Sequence, residues 1–193
     1  MTVRELLDYV GRVKPSAYTE ADLLMWLDEI EGIIEADVLL REDFRPPYVL
    51  SADWRGQGIT FPDDHTLVLP SACVFCPGGE ITLSGAVTYG ADNGVYTLTE
   101  VSADGRTLTV AEGAFAAVGD APETASVTLA YDGGGAELLI GLPHQRVYYT
   151  YLLAMIDFMN AEYGKYQNDM ALFNSFWECF VRWYGQTRRP ADR

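Results

Sequence analysis

The sequence predicts an α+β protein in which a discontinuous helical domain carries an inserted small antiparallel β-barrel or sandwich. Both ends of the chain place apolar residues at helical spacing, whereas the middle alternates apolar and polar residues in short runs. Neither helical end has enough apolar partners within itself to cover its own stripe, so the two ends are expected to pack together. The predicted boundaries are 1–44 and 137–193 for the helical domain and 45–136 for the inserted domain with its linkers.

The first two helices are predicted from their start signals and their apolar periodicity. Thr2 is the expected N-cap of TVRELLDYVGRV, because Glu5 follows three residues later and completes a capping box. Thr19 and Asp22 stand in the same relation at the start of a second helix, which is expected to continue to about residue 40. The consecutive prolines of FRPPYVL cannot continue a helix, so they are expected to end it.

The middle of the chain predicts about five strands. The segments HTLVLP, EITLSGAVTYG, GVYTLTEV, RTLTVAE and ASVTLAYD alternate in polarity and are rich in Thr, Val and Tyr. In SADGR, which lies between two of them, Asp104–Gly105 predicts a hairpin turn, because glycine tolerates a positive φ. Closely spaced strands of this kind are typical of a small barrel or sandwich.

The helical period returns after residue 137, and Pro143 suits a helix start because its missing N–H is not needed there. A stripe of apolar and aromatic residues then follows at alternating spacings of four and three: Leu152, Ile156, Met159, Tyr163, Tyr166, Met170, Phe173, Trp177, Phe180 and Tyr184. One helix would carry this stripe, and so would two helices separated near Gly164, Asn168 and Asp169. In either case we expect the stripe to be buried along its length.

The charge distribution argues against several classes of partner. The formal net charge is −15, with −7 in residues 1–44, −8 in 45–136 and 0 in 137–193. Nucleic-acid binding depends on Lys and Arg that neutralise phosphates, so no sequence-specific nucleic-acid binding is expected. Binding to an anionic membrane surface is disfavoured for the same reason.

Targeting and redox signals indicate a protein made in the cytosol. No charged-then-apolar leader is recognisable, and no run of 18 apolar residues could span a membrane. The cysteines Cys73, Cys76 and Cys179 are odd in number, which fits a reducing compartment.

The sequence offers few candidates for chemistry, and we expect no enzyme activity, no cofactor and no metal. Cys73 and Cys76 form a CxxC, but a zinc site needs two more ligands and a thioredoxin-like motif needs a helix start. In PDDH at 62–65 the side chains could offer ligands to a divalent ion, and a solvated loop is the simpler interpretation. His144 lies at a helix start without a nucleophile motif, which favours a structural or interface role.

Two further segments receive structural interpretations. YDGGG at 131–135 lacks the Walker pattern and is interpreted as a flexible exit from the inserted domain. The acidic residues Asp28, Glu29 and Glu31 are interpreted as a solvated helix face.

The aromatic stripe has three interpretations. Core packing explains most of its positions, and a cofactor site in a bundle would need inward His or Glu pairs, which are absent. Subunit association is the open alternative, because Tyr, Trp, Phe, Met and Arg are enriched at interfaces. The candidate interface residues are Tyr163, Tyr166, Phe173, Trp177, Arg182, Trp183, Tyr184, Arg188 and Arg189. The tail WYGQTRRPADR either orders against an acidic partner or is a frayed end.

Three stretches resemble proteins of tailed bacteriophages and prophages. The opening TVRELLDYV…YTEADLLMWLDEIEGII and the segment IGLPHQRVYYTYLLAMIDFMNAEYGKYQNDMALFNSFWECFVRWYGQTRRP are similar to small head–tail connector (adaptor) proteins. The stretch ITLSGAVTYGADNGVYTLTEVSADGRTLTVAEG resembles a β-module of phage neck and tail proteins. The resemblance covers roughly residues 1–44, 80–113 and 140–190. Gln167 stands where the connector pattern usually has Asn, and the simplest members lack the insertion.

The resemblance implies a connector-like helical domain in a structural virion protein that forms a ring beneath the portal. It implies synthesis in the bacterial host cytoplasm and a final place in the virion neck. The implied partners are further copies of the chain, the portal protein and a tail-stopper or tail-completion protein. The alternative is a phage assembly chaperone or protein-binding module that never enters the particle. No catalytic residues come with the resemblance.

Overall fold

The fold is mixed α+β, as the sequence predicts. The computed structural model describes residues 1–40 and 47–187. The chain divides into two compact units, one formed by Met1–Glu42 with Leu138–Arg193 and the other by Asp43–Glu137. These bounds differ by one or two residues from those predicted.

The described part of the helical unit contains four α-helices: α1 Val3–Val13, α2 Glu20–Ile33, α3 Arg146–Met159 and α4 Tyr163–Thr187. Both predicted capping boxes are confirmed. The Glu5 N–H donates to Thr2 Oγ1 at 3.3 Å, and the Thr2 N–H donates to Glu5 Oε2 at 2.8 Å. Thr19 and Asp22 form the same reciprocal pair at 3.3 and 2.7 Å.

The second helix changes character before residue 40. It continues from α2 into a π-helical turn, Ile34–Leu39, which ends at Leu40 in the left-handed conformation with φ 52°. The helix stop predicted at FRPPYVL lies partly outside the described residues.

The aromatic stripe is carried by two helices, and the break comes earlier than the sequence indicates. α3 ends at Met159, and Ala161 turns the chain with φ 58°. The Ala161 and Glu162 N–H groups donate to the carbonyls of Phe158 and Asp157, which satisfies acceptors at the end of α3. Met159 and Tyr163 flank this turn and are exposed, so the expectation of a stripe buried along its whole length is wrong.

Helix α3 contacts each of the other three helices. It is therefore buried on several sides, through Val147, Tyr148, Thr150, Tyr151, Leu152, Ala154, Ile156 and Asp157. Facing it, α1 buries Val3, Leu6, Leu7 and Val10 on one side, as its periodicity predicts, whereas Val13, the last member of the same series, is exposed. Glu31 on α2 is buried and accepts a hydrogen bond from the Leu139 N–H at 3.1 Å, so its predicted place on a solvated face is wrong. Leu139 belongs to the segment that precedes α3, so the partner of Glu31 is distant in sequence.

A lysine at the end of α1 ties that helix to α3 and α4. The Lys14 ammonium lies 2.5 Å from Asp157 Oδ1. It also donates to Asp169 Oδ2 and to the Leu153 carbonyl, both at 3.2 Å. Because the Asp157 side chain is fully buried, Lys14 supplies the countercharge that keeps this carboxylate in the interior.

The described part of the inserted unit contains two open antiparallel sheets. Its strands are β1 Ser51–Gly56, β2 Thr66–Val68, β3 Glu80–Ser84, β4 Gly94–Thr97, β5 Glu100–Val101, β6 Thr107–Thr109 and β7 Val127–Asp132. One sheet has the order β1-β7-β3-β4 and the other β2-β6-β5. Neither is closed into a barrel, so the barrel alternative is wrong. Leu67 and Leu108 from the smaller sheet share one apolar core with Ile81, Leu83 and Leu129 from the larger.

Glycines shape two connections of this unit. Gly105 adopts φ +67° in the predicted turn between β5 and β6, which confirms that prediction. Gly133–Gly135 forms a short 3₁₀ turn directly after β7, with Gly133 and Gly134 buried. A Cβ on Gly133 would overlap the Val49 carbonyl oxygen. YDGGG is therefore a close-packed connection, and its interpretation as a flexible exit is wrong.

Candidate protein-interaction surface

One side of α4 packs against α3 and completes the core of the helical unit. Phe173 and Phe180 are buried on this side, and the rings of Phe173 and Tyr151 lie 5.4 Å apart. The predicted stripe positions between and around them are half-buried: Tyr166, Met170, Trp177 and Tyr184. From Tyr166 onward the stripe is therefore the α3-facing side of α4, which is the core-packing interpretation.

A second apolar stripe runs beside the first. Its members are Leu172, Phe176, Cys179 and Trp183, each one residue before a member of the buried stripe and again at spacings of four, three and four. We call these four residues the α4 flank. Leu172 is 52% exposed and Trp183 is 43% exposed, so the chain leaves much of this apolar surface in water. Leu172, Phe176 and Cys179 are absent from the predicted interface set, although the same spacing marks them.

The start of α3 borders the α4 flank. The Arg146 guanidinium lies over the Phe176 ring, 5.4 Å from its centroid. The His144 ring lies 4.9 Å from the Trp183 ring, and its buried Nε2 has no hydrogen-bond partner among the residues that the structure describes. Arg146 and His144 thus lie beside aromatic rings along this edge, and arginine with aromatic residues is a mixture common in protein interfaces.

The structure separates the predicted interface residues into three groups. Tyr163, Arg182 and Trp183 are exposed, whereas Tyr166, Trp177 and Tyr184 are half-buried. Phe173 is only 8% exposed, which leaves little of its surface for a partner. Arg188 and Arg189 lie outside the described residues.

A cleft of about 660 Å³ lies between α1 and the beginning of α3. Its lining includes Glu5, Asp8, Tyr9, Arg12, Leu142 and Tyr149. The rings of Tyr9 and Tyr149 lie 4.8 Å apart and form part of its wall. The sequence spacing of Glu5, Asp8 and Arg12 places them on one face of α1. The sequence does not show that this face borders a cleft, because the cleft depends on the packing of α1 on α3.

The β unit contains a compact group of potential metal ligands. Among the described residues, ligand atoms of Asp63, Asp64 and His65 all lie within 4.8 Å of one another. His65 Nδ1 is 2.8 Å from Asp64 Oδ1, and this hydrogen bond raises the pKa of His65. The His65 N–H donates to Asp63 Oδ1 at 3.1 Å. These partly exposed side chains form hydrogen bonds with one another, as is common in surface loops. We therefore assign them no metal-binding or catalytic role.

The CxxC segment lies in the connection between β2 and β3. Phe75, between the two cysteines, is buried and stacks on Tyr131 with ring centroids 4.5 Å apart. Burial raises the pKa of the Cys73 thiol, which disfavours the reactive thiolate. Phe75 belongs to the apolar core of the β unit and Cys73 packs against that core, so the segment has a structural role.

No protein-family model matches the chain, and no curated protein matches its sequence. In the described parts of the chain, no helix has both the length and the apolar character needed to cross a membrane.

Proposed function

We propose that this protein is a structural component of a phage or prophage virion, a head–tail connector that forms a ring beneath the portal. The observation that carries the proposal is the α4 flank. The helical unit already has a core, filled from the neighbouring side of α4, so the flank is apolar surface in excess of what that core uses. Exposed apolar surface that continues along a helix favours protein–protein contact.

In the proposed ring the α4 flank of one subunit contacts a different surface of the next. Such a heterologous contact closes into a ring when its rotation divides a full turn. Leu172 and Trp183 are the proposed apolar anchors, because their side chains are large and substantially exposed. Tyr163 and Arg182, exposed at the start and near the end of α4, are proposed contacts at its periphery.

The portal protein and a tail-stopper or tail-completion protein are the other proposed partners. Arg188 and Arg189 follow α4 in sequence and are proposed to dock to the portal, while the β unit contacts the tail side. The acidic character of the chain supports a place around a DNA conduit, because like charge keeps the genome from adhering. The protein then works by binding, without catalysis, cofactor or metal, in the neck of the virion.

The decisive experiment is quantitative mass spectrometry of purified particles from an induced host. A copy number comparable to that of the portal subunit supports a connector ring. Absence from intact particles in which portal is plainly detected would refute the virion role and favour an assembly chaperone.

A second experiment tests the portal contact directly. Deleting residues 186–193 is expected to abolish binding to purified portal while the far-ultraviolet circular dichroism spectrum stays that of a folded chain. Portal binding by the shortened protein would show that the tail has no docking role.

A further inference from the structure

Strand β1 lies at one edge of the larger sheet, with β7 as its neighbour. The Gly133 N–H donates to the Leu50 carbonyl at 3.1 Å, and these two residues extend the β1–β7 register by one position. Hydrogen-bonded pairs alternate along an antiparallel ladder, so every second residue of β1, beginning with Ala52, bonds β7. The other three residues of β1 direct their backbone N–H and C=O groups outward: Ser51, Asp53 and Arg55.

These outward backbone groups, which we call the β1 edge, are available to another strand. Among the described residues, no hydrogen bond is made to them outside the β1–β7 ladder. The side chains of Asp53 and Arg55 are 52% and 70% exposed, and they project from the sheet face opposite the buried Trp54. An edge of this kind is a template for strand pairing, and the charges on it decide which strand fits.

The charges of β1 select one register for the pairing of two copies. In an antiparallel pair centred on Trp54, Asp53 of each copy lies opposite Arg55 of the other. The outward backbone groups of these two residues then face each other, so both pairs can form ladder hydrogen bonds. A register centred on Asp53 would oppose two carboxylates, and one centred on Arg55 would oppose two guanidinium groups. Like charges directly opposite destabilise a strand pair, so the register centred on Trp54 is favoured.

We propose that two copies of this chain associate through the β1 edge, antiparallel and centred on Trp54, so that their four-stranded sheets continue into each other. The contact is isologous, because each copy contributes the same strand. Its backbone hydrogen bonds provide the attraction, and the charge pattern rejects the neighbouring registers. This contact uses a different element from the α4 flank and does not rest on the proposed function.

The test reverses the charges at the two paired positions. All chains carry Trp183→Asp, which removes the proposed contact of the α4 flank, and this chain is the parent. Self-association is measured by sedimentation velocity up to about 1 mM, so that a weak dimer is populated. At about 0.15 M salt the screening length is about 8 Å, which reduces the general repulsion between acidic chains and retains close pairs. Asp53→Arg and Arg55→Asp each replace two attractive pairs by two repulsive ones and should weaken dimerisation at least about tenfold.

Mixing the two variants is the decisive measurement. In a mixed pair both cross-strand contacts again join opposite charges, so the mixture should dimerise about as strongly as the parent. Neither variant can form the Asp53–Arg55 ion pair within its own chain, so the recovery reports the contact between copies. The matched control is Asp120→Arg, which makes the same charge change at an exposed position of the same unit and should leave dimerisation unchanged.

Hydrogen exchange locates the contact on the strand. The amides of Asp53 and Arg55 should become protected as the concentration of the parent rises, because the second copy then bonds them. A parent that stays monomeric at about 1 mM would overturn the proposal. So would a mixture that associates no better than its components, or a dimer in which these two amides stay unprotected. All of these measurements use the isolated chain, so their failure leaves the particle test of the proposed function unaffected.

Discussion

Replacing Lys14 by methionine tests how the buried Asp157 carboxylate is stabilised. The substitution keeps the aliphatic length of the side chain but removes the ammonium that lies 2.5 Å from Asp157 Oδ1. Breaking a buried ion pair by removing one partner costs about 3–5 kcal/mol, because the remaining charge stays desolvated. Lys14 is 24% exposed, so water reaches the vacated position in part and we expect the lower end, about 3 kcal/mol.

The matched control is Lys165→Met. Lys165 pairs with Glu162 at 2.9 Å, but both side chains are largely exposed, at 65% and 42%. Exposed pairs of this kind contribute little to stability. The two variants therefore make the same chemical change in a buried and in an exposed environment.

The assay is urea unfolding followed by circular dichroism at the helical band, with the free energy obtained from the midpoint and slope. Adding Asp157→Asn to Lys14→Met should recover part of the lost stability, because the uncompensated charge is then gone. If Lys14→Met destabilises the chain no more than Lys165→Met, Asp157 does not depend on Lys14 and the reasoning fails.

Three further predictions address other parts of the molecule. Burial would raise the pKa of Glu123, but hydrogen bonds from four backbone N–H groups outweigh burial and lower it to about 2. Because the pKa of Glu123 is lower in the folded than in the unfolded chain, the stability that its carboxylate contributes is fully present above about pH 4.5. That contribution is lost as the pH falls toward 2. Glu123→Gln should remove that acid-range loss and lower stability near pH 7 by about 2 kcal/mol, measured by urea unfolding across pH. Trp183→Asp should weaken self-association at least tenfold by analytical ultracentrifugation, whereas the exposed Asn174→Asp should not; equal effects would refute a role for the α4 flank. Gly133→Ala should lower the melting temperature because its Cβ would overlap a backbone carbonyl, while Gly11→Ala, with open space around it, should be neutral or stabilising; similar melting temperatures would contradict the packing described.

The predicted interface residues show what residue spacing can predict about a helix and what it cannot. Alternating steps of four and three identify a side of α4 that is apolar, but they do not say which of two neighbouring apolar sides meets α3. Phe173 is buried against α3, whereas Trp183 remains 43% exposed, although both belong to the set. The difference depends on how α3 lies against α4, which no local pattern contains.

Features that depend on residues a few positions apart follow from the sequence alone. The capping boxes at Thr2 and Thr19 and the turn at Gly105 are of this kind, because their hydrogen bonds and backbone conformations are decided locally. The change from helical to alternating period gives the α+β class and the inserted position of the strands for the same reason.

The tertiary structure decided what depends on distant partners. Glu31 is buried because the Leu139 N–H, 108 positions away, donates to its carboxylate. Gly133 is required because the Val49 carbonyl approaches it from another part of the chain. The α1–α3 cleft depends on the packing of α1 on α3, where the Tyr9 and Tyr149 rings are in contact. The break between α3 and α4 places Met159 and Tyr163 at an exposed turn. Burial is a property of the space around a side chain, and packing of remote segments determines that space.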